Sequence, residues 1–322
     1  MNIEILIVTH RYERLKESLA KISKFNEKIL VVVDGPNQDI VELLKSYQNN
    51  DIRYIVLDKN AGKSRARNIG IKNSQADIIY FLDDDVYFEK DNIEALKSKF
   101  KKYPQASIIG GPNLTPKNSS YFQRASGYIF TSVFTAWKMK NRYLNNYVQD
   151  VYCDDKSLIL CNMAVKREVF EKENIYFDER LNYNEENLFL EYIKDKGYKM
   201  LYSPEIFVYH ARRPNIAGFS RQVFGSGKGR AVMTKILPKT LSWFNTIPSL
   251  FLLYLIFLPL FPLLLIYPLF AYIAINISNA LFITISNKES IAVFLYVVIL
   301  SFVAHVSYGY GFLYGFLWEQ KS

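Results

Sequence analysis

From Trp243 to Asn287 the chain has no acidic residue, lysine or arginine. A second such stretch, Ser290 to Trp318, follows the short polar break at Lys288-Glu289. A helix that crosses a bilayer needs about 20 consecutive apolar residues. The first stretch has room for two spans, near 249–267 and 268–286, and the second for one, near 291–313. Pro259, Pro262 and Pro268 interrupt the first stretch, and proline kinks helices or marks their ends, so the total stays open at two or three. The competing reading is a buried hairpin of a soluble protein, but soluble cores rarely hold uncharged stretches of this length.

Charge placement sharpens this picture. The formal net charge is +9, and the segment from Arg212 to Lys239 holds seven basic residues and no acid. Basic residues next to an apolar span are what a cytoplasmic flank carries, and anionic headgroups attract them. The segment lacks a nucleic-acid recognition motif, which argues against nucleic acid as its partner. Ile3–Val8 runs directly into polar sequence, so no signal peptide is read and the N-terminal part is expected to remain cytoplasmic. Cys153 and Cys161 fit no zinc or redox spacing and are expected as free thiols.

The first 215 residues read as an α/β domain. Apolar runs at 3–8, 29–33, 52–57 and 78–82 have the length of buried strands, and amphipathic helical patterns separate them. Such alternation predicts a mostly parallel, Rossmann-like sheet flanked by helices. Shorter strands are expected near 108–113, 161–164, 200–203 and 206–209, with helices from Lys166 and after Glu186. The polar, aromatic-rich stretch 115–150 is expected as a flexible loop or insert. The domains expected are thus 1–215, a basic interfacial segment at 216–245, and membrane helices at 246–318. Gly225-Ser226-Gly227-Lys228-Gly229-Arg230 lacks the strand–helix context of a phosphate loop and is read as flexible.

One strand ends in chemistry. Ile78–Leu82 runs into Asp83-Asp84-Asp85, three carboxylates that repel one another unless something positive joins them. Ligands of open α/β sheets bind at the carboxyl ends of the strands. A hard divalent cation, Mg²⁺ or Mn²⁺, fits carboxylate oxygens there and shares its shell with phosphate. A polar turn capping the next helix is the plainer alternative.

The order of features resembles the family 2 glycosyltransferases, inverting enzymes with the GT-A fold that use nucleotide-activated sugars. The resemblance rests on Ile7-Val8-Thr9, Val33-Asp34, the run Asn60-Ala61-Gly62-Lys63-Ser64-Arg65-Ala66-Arg67-Asn68-Ile69-Gly70, Phe81-Leu82-Asp83-Asp84-Asp85, Cys161-Asn162-Met163-Ala164, Glu185-Glu186 and Val208-Tyr209-His210. It covers roughly residues 3–215. It implies a metal held by Asp85 and Asp83, with His210 as a further candidate ligand. It implies donor contacts from Thr9, Arg11, Asp34, Lys63, Arg67, Asp83 and Asp84. The general base is expected in the Glu185-Glu186 pair. The family usually has Asp at the second position, and counting back from Gly197 assigns Glu186 to it, with Glu185 as the alternative.

Processive members carry Gln-x-x-Arg-Trp, whereas Gln222 here is followed by Val223-Phe224-Gly225-Ser226. A non-processive enzyme is therefore expected, with a nucleotide-sugar donor, a lipid-linked or envelope glycan acceptor, and membrane lipids around its helices. Two rivals stand beside it. A sugar nucleotidyltransferase would want a glycine-rich loop after the first strand, which Thr9-His10-Arg11-Tyr12 does not offer. A non-catalytic membrane scaffold for glycan assembly would tolerate the Asp-to-Glu departure.

Overall fold

The computed structural model describes residues 1–25, 27–47, 51–145, 147–260 and 262–319. Asn146, within the expected loop, and Phe261, within the first expected span, lie outside them. The chain forms two compact units. One comprises Met1–Leu114 and Asn141–His210, the other Thr115–Lys140 and Ala211–Ser322.

The first unit opens with β1 (Ile3–Thr9), α1 (Tyr12–Ile22), β2 (Lys28–Val33), α2 (Gln38–Ser46), β3 (Ile52–Val56), α3 (Lys63–Asn73) and β4 (Ile78–Asp83). It continues through β5 (Val86–Tyr87), α4 (Asn92–Lys102), β6 (Ala106–Gly110) and β7 (Asn113–Leu114). The chain then supplies α5 (Tyr121–Thr131) and α6 (Val133–Ala136) to the second unit. It returns as β8 (Val151–Cys153), β9 (Asn162–Lys166), α7 (Arg167–Glu173), α8 (Glu185–Asp195), β10 (Lys199–Tyr202) and β11 (Val208–His210).

Eight strands form the main sheet in the order β3-β2-β1-β4-β9-β6-β10-β8. β1, β2, β3 and β4 are mutually parallel, and β9 runs antiparallel between β4 and β6. Alternation along the strands splits the core in two, as the two-residue period of a strand requires. Ile5, Ile7, Val31 and Val33 pack with Leu15, Leu19, Ile40, Ile93 and Phe100 on one face. Leu6, Leu30 and Val32 pack with Ala66, Phe170, Phe189 and Ile193 on the other. Burying each such side chain contributes about 1.5–3 kcal/mol.

From β1 the chain winds outward through β2 and β3, then crosses back to place β4 on the other side of β1. That reversal opens a crevice at the carboxyl ends of β1 and β4. A small sheet, β5-β11-β7, adds to this end. His210 pairs with Val86, and Val208 with Asn113, so the short sheet sets His210 beside the residue preceding Val86.

The second unit is helical. Its remaining helices are α9 (Ile216–Ile236), α10 (Trp243–Phe257), α11 (Tyr267–Ser286) and α12 (Ile291–Leu317). Among the described residues three segments are long and apolar enough to cross a membrane: Trp243–Leu260, Leu263–Ser286 and Ile291–Leu317. The first begins several residues earlier than expected. Its helix carries Pro248 internally and stops before the Pro259–Pro262 region rather than running through to Tyr267.

Two expectations of flexibility are corrected. Within the stretch 115–150, residues 121–131 and 133–136 are helices rather than flexible loop: Ser120 and Gln123 form a capping box that starts α5. Phe122, Ala125 and Ile129, spaced along one helix face, bury themselves with Phe219, Val293 and Val297. The glycine-rich run 225–230 is the middle of α9. Gly227 within it is a packing device, because a Cβ there would lie 2.2 Å from the Tyr308 carbonyl oxygen, and on α12 a Cβ on Gly311 would lie 2.1 Å from that of Phe224. Small residues allow such close approach of helix backbones.

Candidate active site

Asp34, directly after β2, is buried and works locally. Its carboxylate accepts from the Ala61 and Gly62 amides at 2.6 and 3.2 Å. Gly62 sits at φ +89°, a conformation few other residues adopt, and opens α3. This turn fixes the helix that carries Lys63 and Arg67.

The three aspartates at the end of β4 have three different fates. Asp84 turns inward, where Thr9 Oγ1 donates to it at 2.7 Å and Arg11 Nη2 at 3.1 Å. Burial first, then the neighbouring Asp85, push its carboxyl above the usual range, against Arg11 and Thr9. Thr9, Arg11 and Asp84 thus form one knot beneath the crevice.

Asp83 points to the other side. Arg67 Nη2 donates to its Oδ1 at 3.0 Å, and Arg67 Nη1 reaches Glu185 Oε1 at 2.5 Å. Burial alone would raise Asp83, yet Arg67 and then Lys63 hold its carboxyl below the ordinary value. Arg67 is itself only 6% exposed. Burial works against its charge, but Glu185 and then Asp83 more than offset this and raise its pKa. One guanidinium therefore ties the tip of β4 to the start of α8.

Asp85 lies between Arg14 and His210. Arg14, from α1, pairs with its Oδ2, and His210 Nε2 stands 3.0 Å from its Oδ1. Asp83, Asp85 and His210 each offer a ligand atom within 4.8 Å of the others. Two carboxylate oxygens and an imidazole nitrogen suit Mg²⁺ or Mn²⁺ and leave positions open for phosphate oxygens and water. The donor set fits a divalent cation.

Glu185 and Glu186 open α8 and part at once. Glu185 faces Arg67. Glu186 Oε1 meets Arg142 Nη1 at 3.2 Å. Arg142 is held by the carbonyls of Lys156 and Asp155 and by Asn187 Oδ1. Burial, then Glu185, raise the Glu186 carboxyl above the ordinary glutamate range, with Arg142 opposing them.

The structure therefore joins Asp83, Arg67 and Glu185 in one chain, Thr9, Arg11 and Asp84 in a second, and Asp85 with His210 in a third. Asp34 supports the first from behind. Sequence reasoning missed Arg14, Asn113 and Arg142. Arg14, in the first turn of α1, follows the N-cap Arg11 by three. Arg142 lies in a basic, aromatic stretch with no motif to single it out.

The family model described as Glycosyl transferase family 2 matches residues 5–173, just over half of the chain. The chain belongs to the family 2 glycosyltransferases. Poly-beta-1,6-N-acetyl-D-glucosamine synthase of Staphylococcus aureus is 29% identical over 120 residues, 36% of this chain and 29% of that protein. Glycosyltransferase GlyA of Streptococcus pneumoniae serotype 4 is 37% identical over 87 residues, 27% of this chain and 12% of that protein. The alignments thus span less than a third of these relatives' own length.

Among solved structures, mannosyltransferase PcManGT from Pyrobaculum calidifontis, in complex with GDP-Man and Mn²⁺, superposes with a TM-score of 0.61 at 12% identity. It covers 99% of this chain and 88% of that one. S. aureus TarS 1-349 in complex with UDP gives 0.51 at 12% identity, over 95% and 89%. At such identities the likeness shows the fold, and that fold is GT-A. The chain thus carries the fold of its family, and among the described residues three apolar segments are long enough to cross a membrane.

Proposed function

We propose that this family 2 glycosyltransferase is a divalent-metal-dependent, inverting and non-processive enzyme of the membrane. It moves a sugar from a nucleotide-sugar donor to a lipid-linked or envelope glycan acceptor. One observation carries the reading: the Asp83, Asp85 and His210 cluster is linked through Arg67 to the Glu185-Glu186 pair. Leaving-group end and proton-accepting end are thereby held in one frame.

Asp85, Asp83 and His210 would hold Mg²⁺ or Mn²⁺. Bound there, the cation supplies charge neutralisation for a departing diphosphate. Lys63, at the first turn of α3, adds positive charge on the same side. Thr9, Arg11, Asp34 and Asp84 shape the floor on which nucleobase and ribose rest.

The acceptor hydroxyl oxygen attacks the anomeric carbon as the bond to the diphosphate oxygen breaks, and the diphosphate takes the electron pair. Glu186 takes the hydroxyl proton. Its burial suits that role, since a carboxylate with a raised pKa is the stronger base. Glu185 is committed to Arg67 and positions the frame. A single displacement of this kind inverts the anomeric centre.

The apolar helices and the basic segment from Arg212 to Lys239 support a lipid-linked acceptor and a cytoplasmic catalytic unit. The test is a donor screen on membranes containing the full chain, with Mn²⁺ or Mg²⁺, reading released nucleoside diphosphate and the anomeric configuration of the product. One donor is expected to release its diphosphate with inversion. Retention would refute the single displacement. No release from any donor would favour the non-catalytic scaffold.

A further inference from the structure

His210 has a second neighbour besides Asp85. Asn113, fully buried at 0% exposure, places its amide nitrogen 3.0 Å from His210 Nδ1 and 3.1 Å from Cys161 Sγ. The short sheet builds this contact, since Asn113 opens β7 and His210 closes β11.

In a neutral imidazole the neighbours of the two nitrogens select the tautomer. A carboxylate only accepts, so Nε2, 3.0 Å from Asp85 Oδ1, carries the proton. Nδ1 then presents its lone pair, and the Asn113 amide N–H donates to it. An imidazole in this form has no Nε2 lone pair for a cation. To become a ligand, His210 must carry its proton on Nδ1 instead, where a donor would meet a donor. A half-turn of the Asn113 amide removes that conflict, because Oδ1 then accepts Nδ1–H. Cys161 can follow, since a thiol both accepts and donates weakly. A buried polar group would otherwise be left unmatched, at a cost that disfavours the ligating tautomer.

We propose that Asn113 is a positioning residue that lets His210 exchange between donating to Asp85 and ligating a divalent cation, its amide turning over as the cation enters. The proposal rests on the reading of Asp83, Asp85 and His210 as a cation site. Partners of ligating histidines typically change metal affinity about 10–100-fold when removed.

The test uses the full chain in detergent. The sequence has three histidines, so ¹⁵N-histidine NMR is tractable, and a His210→Gln spectrum identifies the His210 signal. In wild type the signal is expected to change from the Nε2–H form in chelator to the Nδ1–H form in Mg²⁺. Mn²⁺ affinity, read by electron paramagnetic resonance, is expected to fall about tenfold or more in Asn113→Leu. It is expected to hold or rise in Asn113→Asp, whose carboxylate accepts from Nδ1–H without turning. The same tautomer in chelator and Mg²⁺, or equal Mn²⁺ affinity in the two variants, would overturn the proposal while leaving the cation site standing. No Mn²⁺ binding by wild type would overturn both. The NMR arm needs no substitution at position 113, so it decides even if those variants fold poorly.

Discussion

The two units handle polarity in opposite ways. The first buries charge and matches it: Arg67 against Asp83 and Glu185, Arg11 against Asp84, and Arg142 against Glu186. In the second, buried polar side chains such as Asn276, Ser301 and Ser307 are neutral, the buried Arg212 donates to the Thr115 hydroxyl and lies over the Phe130 ring, and close backbone approach at Gly227 and Gly311 brings α9 and α12 together. Its Arg124–Glu289 pair lies outside the apolar segments. Buried ion pairs seldom add net stability, because desolvation consumes the Coulombic gain. Their concentration at the crevice of one unit therefore points to chemistry rather than cohesion. Among its described residues the helical unit holds its apolar segments together by close packing.

This contrast is broken most directly at Glu186. Glu186→Gln is expected to lower kcat by about 10²–10⁴-fold, with the donor KM and the melting temperature little changed. Glu185→Gln is expected to lower the melting temperature instead, because Arg67 loses a partner. If Glu185→Gln is the inactive variant and remains well folded, the two roles are exchanged. Next in size, Arg67→Leu strands Asp83 and Glu185 together and is expected to cost about 3–5 kcal/mol in thermal or denaturant unfolding. Arg67→Lys should recover little, since a single ammonium lacks the fork that spans two carboxylates.

Much of the first unit was legible because its signals are local. The strands at 3–9 and 78–83 announce themselves as apolar runs, and Asp83 to Asp85 are adjacent in sequence. The partners of those acids were not legible. Arg67 lies 118 positions from Glu185 and Arg142 lies 44 from Glu186, so only the sheet order brings them together. Asn113 was hidden for the same reason, its role set by a two-residue strand. In the second unit the apolar runs were plain, but glycine misled. A run such as 225–230 reads as flexible until the partner helix is known to approach within contact of its backbone. The Ser120-x-x-Gln123 box was readable and went unread.

A finer test concerns Arg142. Burial and Glu185 hold the Glu186 carboxyl above its ordinary range, and Arg142 holds it down. A base must be ionised, so activity is expected to fall as pH drops through this raised value. Arg142→Gln removes the opposing charge, and the acid limb of the kcat/KM profile should move to higher pH. Turnover at alkaline pH, where Glu186 is ionised in both proteins, should recover most of the loss. A limb that stays in place would mean that Arg142 serves the fold alone.

The smallest effect is expected at the Arg124–Glu289 ion pair of the helical unit. Arg124 grips both oxygens of Glu289 at 3.0 and 2.8 Å, and Tyr128 adds a third bond at 2.9 Å. Burial would raise the Glu289 carboxyl, but the bonds from Arg124 and Tyr128 prevail and hold it below the ordinary value. A carboxyl depressed on folding stabilises the protein above its unfolded pKa, and that contribution fades as pH falls through the folded value. Arg124 is more than a quarter exposed, so Arg124→Gln should cost only about 1 kcal/mol at neutral pH. The difference from wild type should vanish in acid, once Glu289 is protonated in both. A gap that persists in acid would assign the effect to lost packing rather than charge. The second unit would then rest on close contact even at its one described bidentate ion pair, and the contrast with the crevice of the first would be sharper still.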